Sequence, residues 1–390
     1  MAELSIEEVN DIETFSSLRE QWNALLQKSG DNNVFLTWEW LFIWWRHFGD
    51  NKKLRILLIK EQSNIIGIVP LMQWKYTKCF ININVLENIC AQECDYSGAI
   101  LTERADESIA ILLGHLRKIT SDGKTVVRMW HIPERSDFLK VLHEKHPSFN
   151  DSLVLNERLS DQCPYIDLPA TWEEYFQSLG KRTREHLRRM AKLLEKDFTI
   201  EFKKYTGDDD LRSILETLFY LHQKRWQAKN IDSKFQTPQA RGFYIDLSEA
   251  FHQKGWLNLS FVNINSTTVS IEWGFDYDRT YWSMTFSFDL DYSRYSVGRI
   301  HSMYLIQDAI NNGQRKFDML KGTEEYKSHY AKNKASNMLI TLSRNSLKGK
   351  LRLISLNILI KFDNMRTRSF RENLDLLLDK IRSYIRNPKY

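Results

Sequence analysis

The 390-residue chain reads as an α/β (α+β mixed sheet) protein made of two similar halves and a C-terminal helical extension. Three observations carry that reading. Apolar residues at 42% and charged residues at 27% suit a chain that folds around a core. Helical and strand periodicities alternate along its length. One order of elements, helix, helix, strand, strand, strand, helix, strand, occurs twice. The boundaries expected from this are 1–165 for the first half, 166–345 for the second and 346–390 for the extension.

The elements follow in order. LSIEEV at the start alternates as a strand, and a helix is expected near 12–27. The run FLTWEWLFIWWRHFG holds Trp38, Trp40, Trp44 and Trp45 and needs a large apolar surface, so it is assigned to the core or to the contact between halves, with an acceptor pocket as the second reading. LRILLIK and NIIGIVPLMQW read as strands joined by the polar turn EQS. A helix near 106–119 then leads into the strand TVVRMWHI. The segment DQCPYIDLPATWEEY, at 161–175, carries Pro164 and Pro169 and is read as the linker. Beyond it, helices near 173–197 and 209–229 precede three strands, WLNLSFVN, TTVSIEWGFDY and TYWSMTFSF. A helix at 299–311 and the strand KFDML, from 316 to 320, complete the second round.

Charge and cysteine usage narrow the class. The net charge is only +5, but residues 344–390 hold twelve Lys and Arg against four Asp and Glu, a surplus of eight, so the basic character belongs to the extension. A second basic cluster, GKRTREHLRRMAKLLEK, lies at 180–196; a solvated helix face is the first reading and a phosphate-bearing partner the second. Cys79, Cys90, Cys94 and Cys163 are too few for a disulfide framework, and the CAQEC pair lacks the second pair or histidines of a metal site. Structural thiols and no metal are expected. No apolar run approaches the ~20 residues of a spanning helix, and the acidic start MAELSIEEVNDIE has no signal-peptide character, which points to the cytoplasm.

Chemistry is expected where strands hand over to helices. After TYWSMTFSF the chain reads YSVGRIHSMY, and Gly298, with no Cβ, would let a phosphate approach the free N–H groups of a helix start while Arg299 adds charge. After KFDML comes a second glycine turn, KGTEEYKSHY, dense in functional groups: Asp318 just before it, then Glu324, Tyr326 and Lys327. Two such turns on neighbouring strands would face one cleft, the first holding phosphates and the second supplying acid and base.

The run from Tyr292 to Tyr330, with Tyr-Ser-x-Gly ahead of a helix, then Phe-Asp, then x-Gly-x-Glu-x-Tyr-Lys, resembles the CelD-like (BioF-like) acetyltransferases of the GNAT superfamily, relatives of the FemABX transferases. The Thr-Trp-Glu-Trp run at 37–40, Gly-Ile-Val-Pro-Leu at 67–71, Gly-Lys-Arg at 180–182 and LHQKRW at 221–226 extend the likeness. The resemblance implies tandem GNAT-like domains, the first without a catalytic role, and acyl transfer from acetyl-CoA or a longer acyl-CoA to an amine on a small molecule or a cell-envelope precursor, as in polysaccharide biosynthesis. It implies cofactor contacts from Ser296, Val297, Gly298, Arg299 and Lys327, with Val297 standing where the family has proline. Glu272, Asp318 and Glu324 are the base candidates and Tyr326 the acid candidate. Two rival functions are carried: a FemABX-type transfer from aminoacyl-tRNA, and an inactive scaffold in polysaccharide assembly. Nucleic acid is a partner only in the first of these. The extension, with LRLISLNILIKF and the stripe Leu374, Leu377, Leu378, Ile381, Tyr384 and Ile385, is expected either to lie on an anionic membrane surface or to fold back on the second half.

Overall fold

The computed structural model describes residues 2–78 and 81–365. Its first half runs β1 (Leu4–Val9), α1 (Ile12–Ser17), α2 (Arg19–Lys28), α3 (Trp38–Phe48), β2 (Lys53–Glu61), β3 (Asn64–Lys78), β4 (Ile81–Asn88), β5 (Ile100–Leu101), α4 (Ala105–Ile119), β6 (Thr125–Pro133), α5 (Asp137–Lys145) and β7 (Leu153–Asp167). Helices α6 (Trp172–Ser178) and α7 (Lys181–Asp197) lead to the second: β8 (Ile200–Lys204), α8 (Leu211–Gln227), α9 (Pro238–Gln253), β9 (Leu257–Ile264), β10 (Thr267–Tyr277), β11 (Thr280–Phe288), α10 (Val297–Asn311), β12 (Lys316–Asp318) and β13 (Asn333–Arg344). Helix α11 (Leu347–Met365) follows.

All described strands join one mixed sheet, in the order β1-β2-β3-β4-β6-β13-β7-β12-β11-β10-β9-β8, with β5 paired to β3. The order is symmetric about its middle. From each outer edge a half runs inward through four antiparallel strands to one parallel pairing, β4 with β6 and β11 with β12. The last strand of each half then lies against the other: β13 sits between β6 and β7, and β7 pairs with β12. The repeated order of elements is thus present, and the halves are joined through the sheet itself.

That arrangement overturns the linker reading of 161–175. Residues 161–167 belong to β7, an interior strand. A proline there lacks a ladder donor and is ordinarily confined to edges or bulges. Pro164 is tolerated because β12 is only three residues long and pairs with Tyr165, Ile166 and Asp167. Position 164 falls just past the end of that pairing, facing Lys334 on the β13 side, and its carbonyl accepts the N–H of Met319 at 2.9 Å.

The tryptophans of α3 join the halves. Trp40 is fully buried, donates its indole N–H to Cys90 Sγ at 3.0 Å and packs its ring 5.5 Å from Phe275 and 5.8 Å from Phe243. The core reading of this run holds. At the far end, α11 buries Leu353 and Leu356 against Ile83, Val85 and Val126, while Leu347, Leu351, Ile354 and Ile358 stay exposed. The extension therefore folds back, burying these leucines on β4 and β6 of the first half while also contacting β13 of the second; the stripe from Leu374 to Ile385 lies outside the described residues, as does Cys79. No helix among the described residues is long and apolar enough to cross a membrane.

Candidate active site

Strands β11 and β12 run parallel over three residues each, Thr280–Trp282 against Lys316–Asp318. Past Trp282, β11 continues to Phe288 without that neighbour, and the gap opens into a cavity of about 670 Å³ walled by Ser283, Met284, Thr285, Phe286 and Phe288 on one side and by Met319 and Leu320 on the other. Backbone groups along the freed edge of β11 face this space; one of them, the carbonyl of Phe286, accepts from Arg225 Nη1 at 3.1 Å.

The mouth of the cavity is the start of α10. Ser296, its N-cap, takes the left-handed conformation at φ 54° and ψ 39°, so the strained backbone position is the serine. The role of Gly298 is close approach: a Cβ there would stand 3.0 Å from Phe288 Cδ1 and 3.2 Å from Phe286 Cε1. The N–H groups of Arg299 and Ile300 return to the Ser296 carbonyl, whereas those of Val297 and Gly298 find no acceptor among the described residues, as expected for the first turn of a helix. The Arg299 guanidinium lines the cavity and has no ion-pair partner there. Val297 differs from its expected role: its side chain is buried in the core beneath α10 and does not reach the cavity.

The second turn brings Glu324, Tyr326 and Lys327 to the same cavity. Gly322 adopts φ +119°, a conformation that favours glycine. Lys327 is corrected by its geometry. Its ammonium donates to the carbonyls of Leu320 at 3.2 Å and Lys321 at 2.8 Å and pairs with Glu324 Oε2 at 3.1 Å, so all three donors staple the turn and none is free for a cofactor. Asp318 is likewise committed. Fully buried, it accepts the Leu320 N–H at 2.9 Å, the Tyr96 hydroxyl at 2.9 Å and the Lys316 ammonium at 2.7 Å, and it does not line the cavity. It buttresses the turn instead of meeting a substrate. Tyr326 reaches the cavity wall, and burial, reinforced by the carboxylates of Glu324 and Glu272, pushes its phenol well above the ordinary range, so it holds its proton.

Glu272 stands one hydroxyl behind the wall. Ser283, which lines the cavity, donates to Glu272 Oε1 at 2.6 Å; Oε2 is buried without a hydrogen-bond partner among the described residues. Burial raises its carboxyl to about 8 against the weaker pull of the Ser283 hydrogen bond and of the Lys327 and Lys234 charges. A carboxyl so placed takes up and gives up a proton near neutral pH.

Two wall residues, Asp95 and Lys234, escaped sequence reasoning. Asp95 comes from the loop after β4, in the first half, and both accepts the Lys321 N–H at 2.9 Å and pairs with its ammonium at 3.1 Å. Lys234, between α8 and α9, sets its ammonium on the Tyr244 hydroxyl at 2.5 Å and Thr285 Oγ1 at 2.7 Å; desolvation of that ammonium lowers it to about 8. Arg225, in the LHQKRW run, lies over the Phe288 ring at 4.6 Å, and with Trp226 it lines the cavity. No periodicity or glycine turn marks the first two. Among the described residues no group of three or more His, Cys, Asp or Glu stands together as a metal site.

Apart from Asp95, the residues lining the cavity, its splayed strands and the helix start fall within residues 181–328, which match the model of the acetyltransferase (GNAT) domain. The chain carries this match over 148 of its 390 residues. Among solved structures it is similar in fold to FemX, with a TM-score of 0.59 at 8% identity, covering 86% of this chain and 96% of that one. A conserved protein of unknown function from Bacteroides thetaiotaomicron gives 0.54 at 11%, over 87% and 100%. L-PGS from Bacillus licheniformis gives 0.51 at 11%, over 86% and 95%. The sequence matches no curated protein.

Proposed function

We propose that this chain transfers an acyl group, acetyl or longer, from a CoA thioester to an amine, and that the cavity between β11 and β12 is where it does so. The single observation behind this reading is the splayed strand pair opening directly beside the free N–H groups of α10. Those N–H groups, the absent Cβ at Gly298 and the unpaired Arg299 fit a pyrophosphate. The freed edge of β11 fits the extended amide-bearing arm. When bound, the thioester supplies an activated acyl carbon to the cavity.

The chain's own residues then handle protons. The Ser283 hydroxyl passes a proton from the attacking amine to Glu272, whose raised affinity suits it to hold one. Tyr326, protonated at neutral pH, donates to the departing sulfur. No covalent enzyme intermediate is needed. The first half is proposed to have no donor site of its own. Its corresponding helix, α4, starts on Arg104 in the same left-handed conformation, φ 51° and ψ 41°, but Arg104 is held by Glu61 and Glu107, and Asp106 and Glu107 occupy the first turn. Carboxylates there repel phosphate.

The CelD-like affiliation, an envelope or polysaccharide precursor as acceptor, a cytoplasmic site of action and membrane contact through the basic extension belong to this proposal. Its test is thiol release from a panel of acyl-CoAs with small amines and amino sugars. Turnover that required aminoacyl-tRNA and ignored acyl-CoA would overturn it in favour of a FemABX-type reaction.

A further inference from the structure

Beside the main cavity lies a second hollow of about 440 Å³, between the first turns of α7 and the start of α10. Arg182, His186, Arg189, Arg299 and His329 line it, and Glu185 is the one carboxylate among its wall residues. That carboxylate is drawn toward Lys181, 3.9 Å away on its own helix. Arg182, Arg189 and Arg299 have no ion-pair partner among the described residues. The positive charge is concentrated enough that His186, already disfavoured as a cation by burial, is held neutral further by Arg299, Arg189 and His329. Its ring is fixed on both sides, with Nδ1 3.5 Å from the Arg189 guanidinium and Nε2 3.1 Å from Ser296 Oγ.

Two features tie the hollow to the acyl donor. Arg299 lines both spaces, and Ser296 joins the His186 ring to the turn assigned to the pyrophosphate. A group bound here would sit next along the donor from that pyrophosphate, on the side away from the thioester. In CoA the group in that direction is the ribose 3'-phosphate, a monoester whose second ionisation falls near pH 6, so it is close to a dianion at neutral pH. Planar guanidinium forks match phosphate oxygens two at a time. Unpaired arginines repel one another in the free protein, and a dianion relieves that repulsion.

We propose that this hollow, formed by Arg182, His186 and Arg189 of α7 with Arg299 and His329, binds the 3'-phosphate of CoA, so that the enzyme selects free acyl-CoA over donors bearing only phosphopantetheine, such as acyl carrier proteins. It rests on the CoA reading above and assigns the basic cluster of 180–196 a ligand.

Titration calorimetry of the full chain with CoA, 3'-dephospho-CoA and 4'-phosphopantetheine tests it. The expected result is CoA binding at least tenfold tighter than dephospho-CoA, with the difference shrinking as salt rises. The double variant Arg182→Gln, Arg189→Gln alters two exposed side chains; it should bring CoA down to the dephospho-CoA affinity while leaving dephospho-CoA binding unchanged, which also shows that the fold is intact. Equal affinity for the two nucleotides in the wild type, or a preference that survives the double variant, overturns the 3'-phosphate site and leaves the CoA reading standing. Failure of all three ligands to bind would overturn both.

Discussion

At the scale of single residues, Gly298 and Glu272 make the sharpest claims. A valine at 298 would push its Cβ and branches against Phe286 and Phe288 and into the approach to the α10 N–H groups. Gly298→Val is expected to weaken acetyl-CoA binding at least tenfold, about 1.4 kcal/mol; unchanged affinity by calorimetry would remove the pyrophosphate from this turn. For Glu272 the sign follows from its raised affinity for a proton, from an ordinary 4.5 to about 8 in the fold. Between those values the folded state binds more protons than the unfolded one. Stability therefore declines as pH rises through that window, and above about 8 the full cost of the buried charge is present. Glu272→Gln should flatten that decline in thermal melts between pH 5 and 9, since glutamine carries no charge. The same variant should lower acyl transfer ~10²-fold or more and abolish the rise in rate toward pH 8. A wild-type pH–rate profile in the variant would exclude Glu272 as the base.

At the scale of elements, the exchange of last strands decides what can fold alone. Strand β7 is flanked by β12 and β13, and β6 pairs with β13 as well. A fragment ending at Asp167 would leave both edges of β7 without partners and one edge of β6 bare, a template for aggregation. Expressed by itself, residues 1–167 should fail to give a soluble monomer with a cooperative melt; obtaining one would show that the first half is self-sufficient. The same exchange, together with the loop after β4, explains how Asp95 of one half and Lys321 of the other come to share a wall of the cavity.

At the scale of the whole molecule, α11 serves as packing on one face and offers an apolar stripe on another. Leu356 is fully buried against the first half. Truncation after Ser343 removes it with Leu353 and uncovers Ile83, Val85 and Val126, so a clear drop in melting temperature is expected; an unchanged melt would mean that α11 contributes nothing to the core. The exposed face, Leu347, Leu351, Ile354 and Ile358, is the part to test against membranes. Sedimentation with phosphatidylserine vesicles should carry down the full chain and not the truncated one, with binding fading as salt rises. Absence of sedimentation at low salt would end the membrane reading.

Much of this protein was legible before any contact was known. Strand and helix periodicities, the doubled order of elements and the two glycine turns are local properties, written in side-chain spacing and in where a missing Cβ is needed. They were enough to place Gly298, Arg299, Glu324 and Tyr326 at one cleft, to which the family resemblance added Ser296. What they could not reveal depends on residues distant in the chain. Pro164 reads locally as a breaker, and only the shortness of β12, far later in the chain, makes it harmless in the sheet. In isolation Asp318 looks like a catalytic group and Lys327 like a cofactor contact; the carbonyls, hydroxyl and ammonium brought to them by the fold turn one into a buttress and the other into a staple. Asp95 and Lys234 have no signature of their own, because a side chain acquires a site only from what surrounds it. Sequence by itself determined the elements and the turns that face the donor; tertiary structure decided which polar groups remain free to act there, since hydrogen-bond capacity is finite and long-range packing determines where it is used.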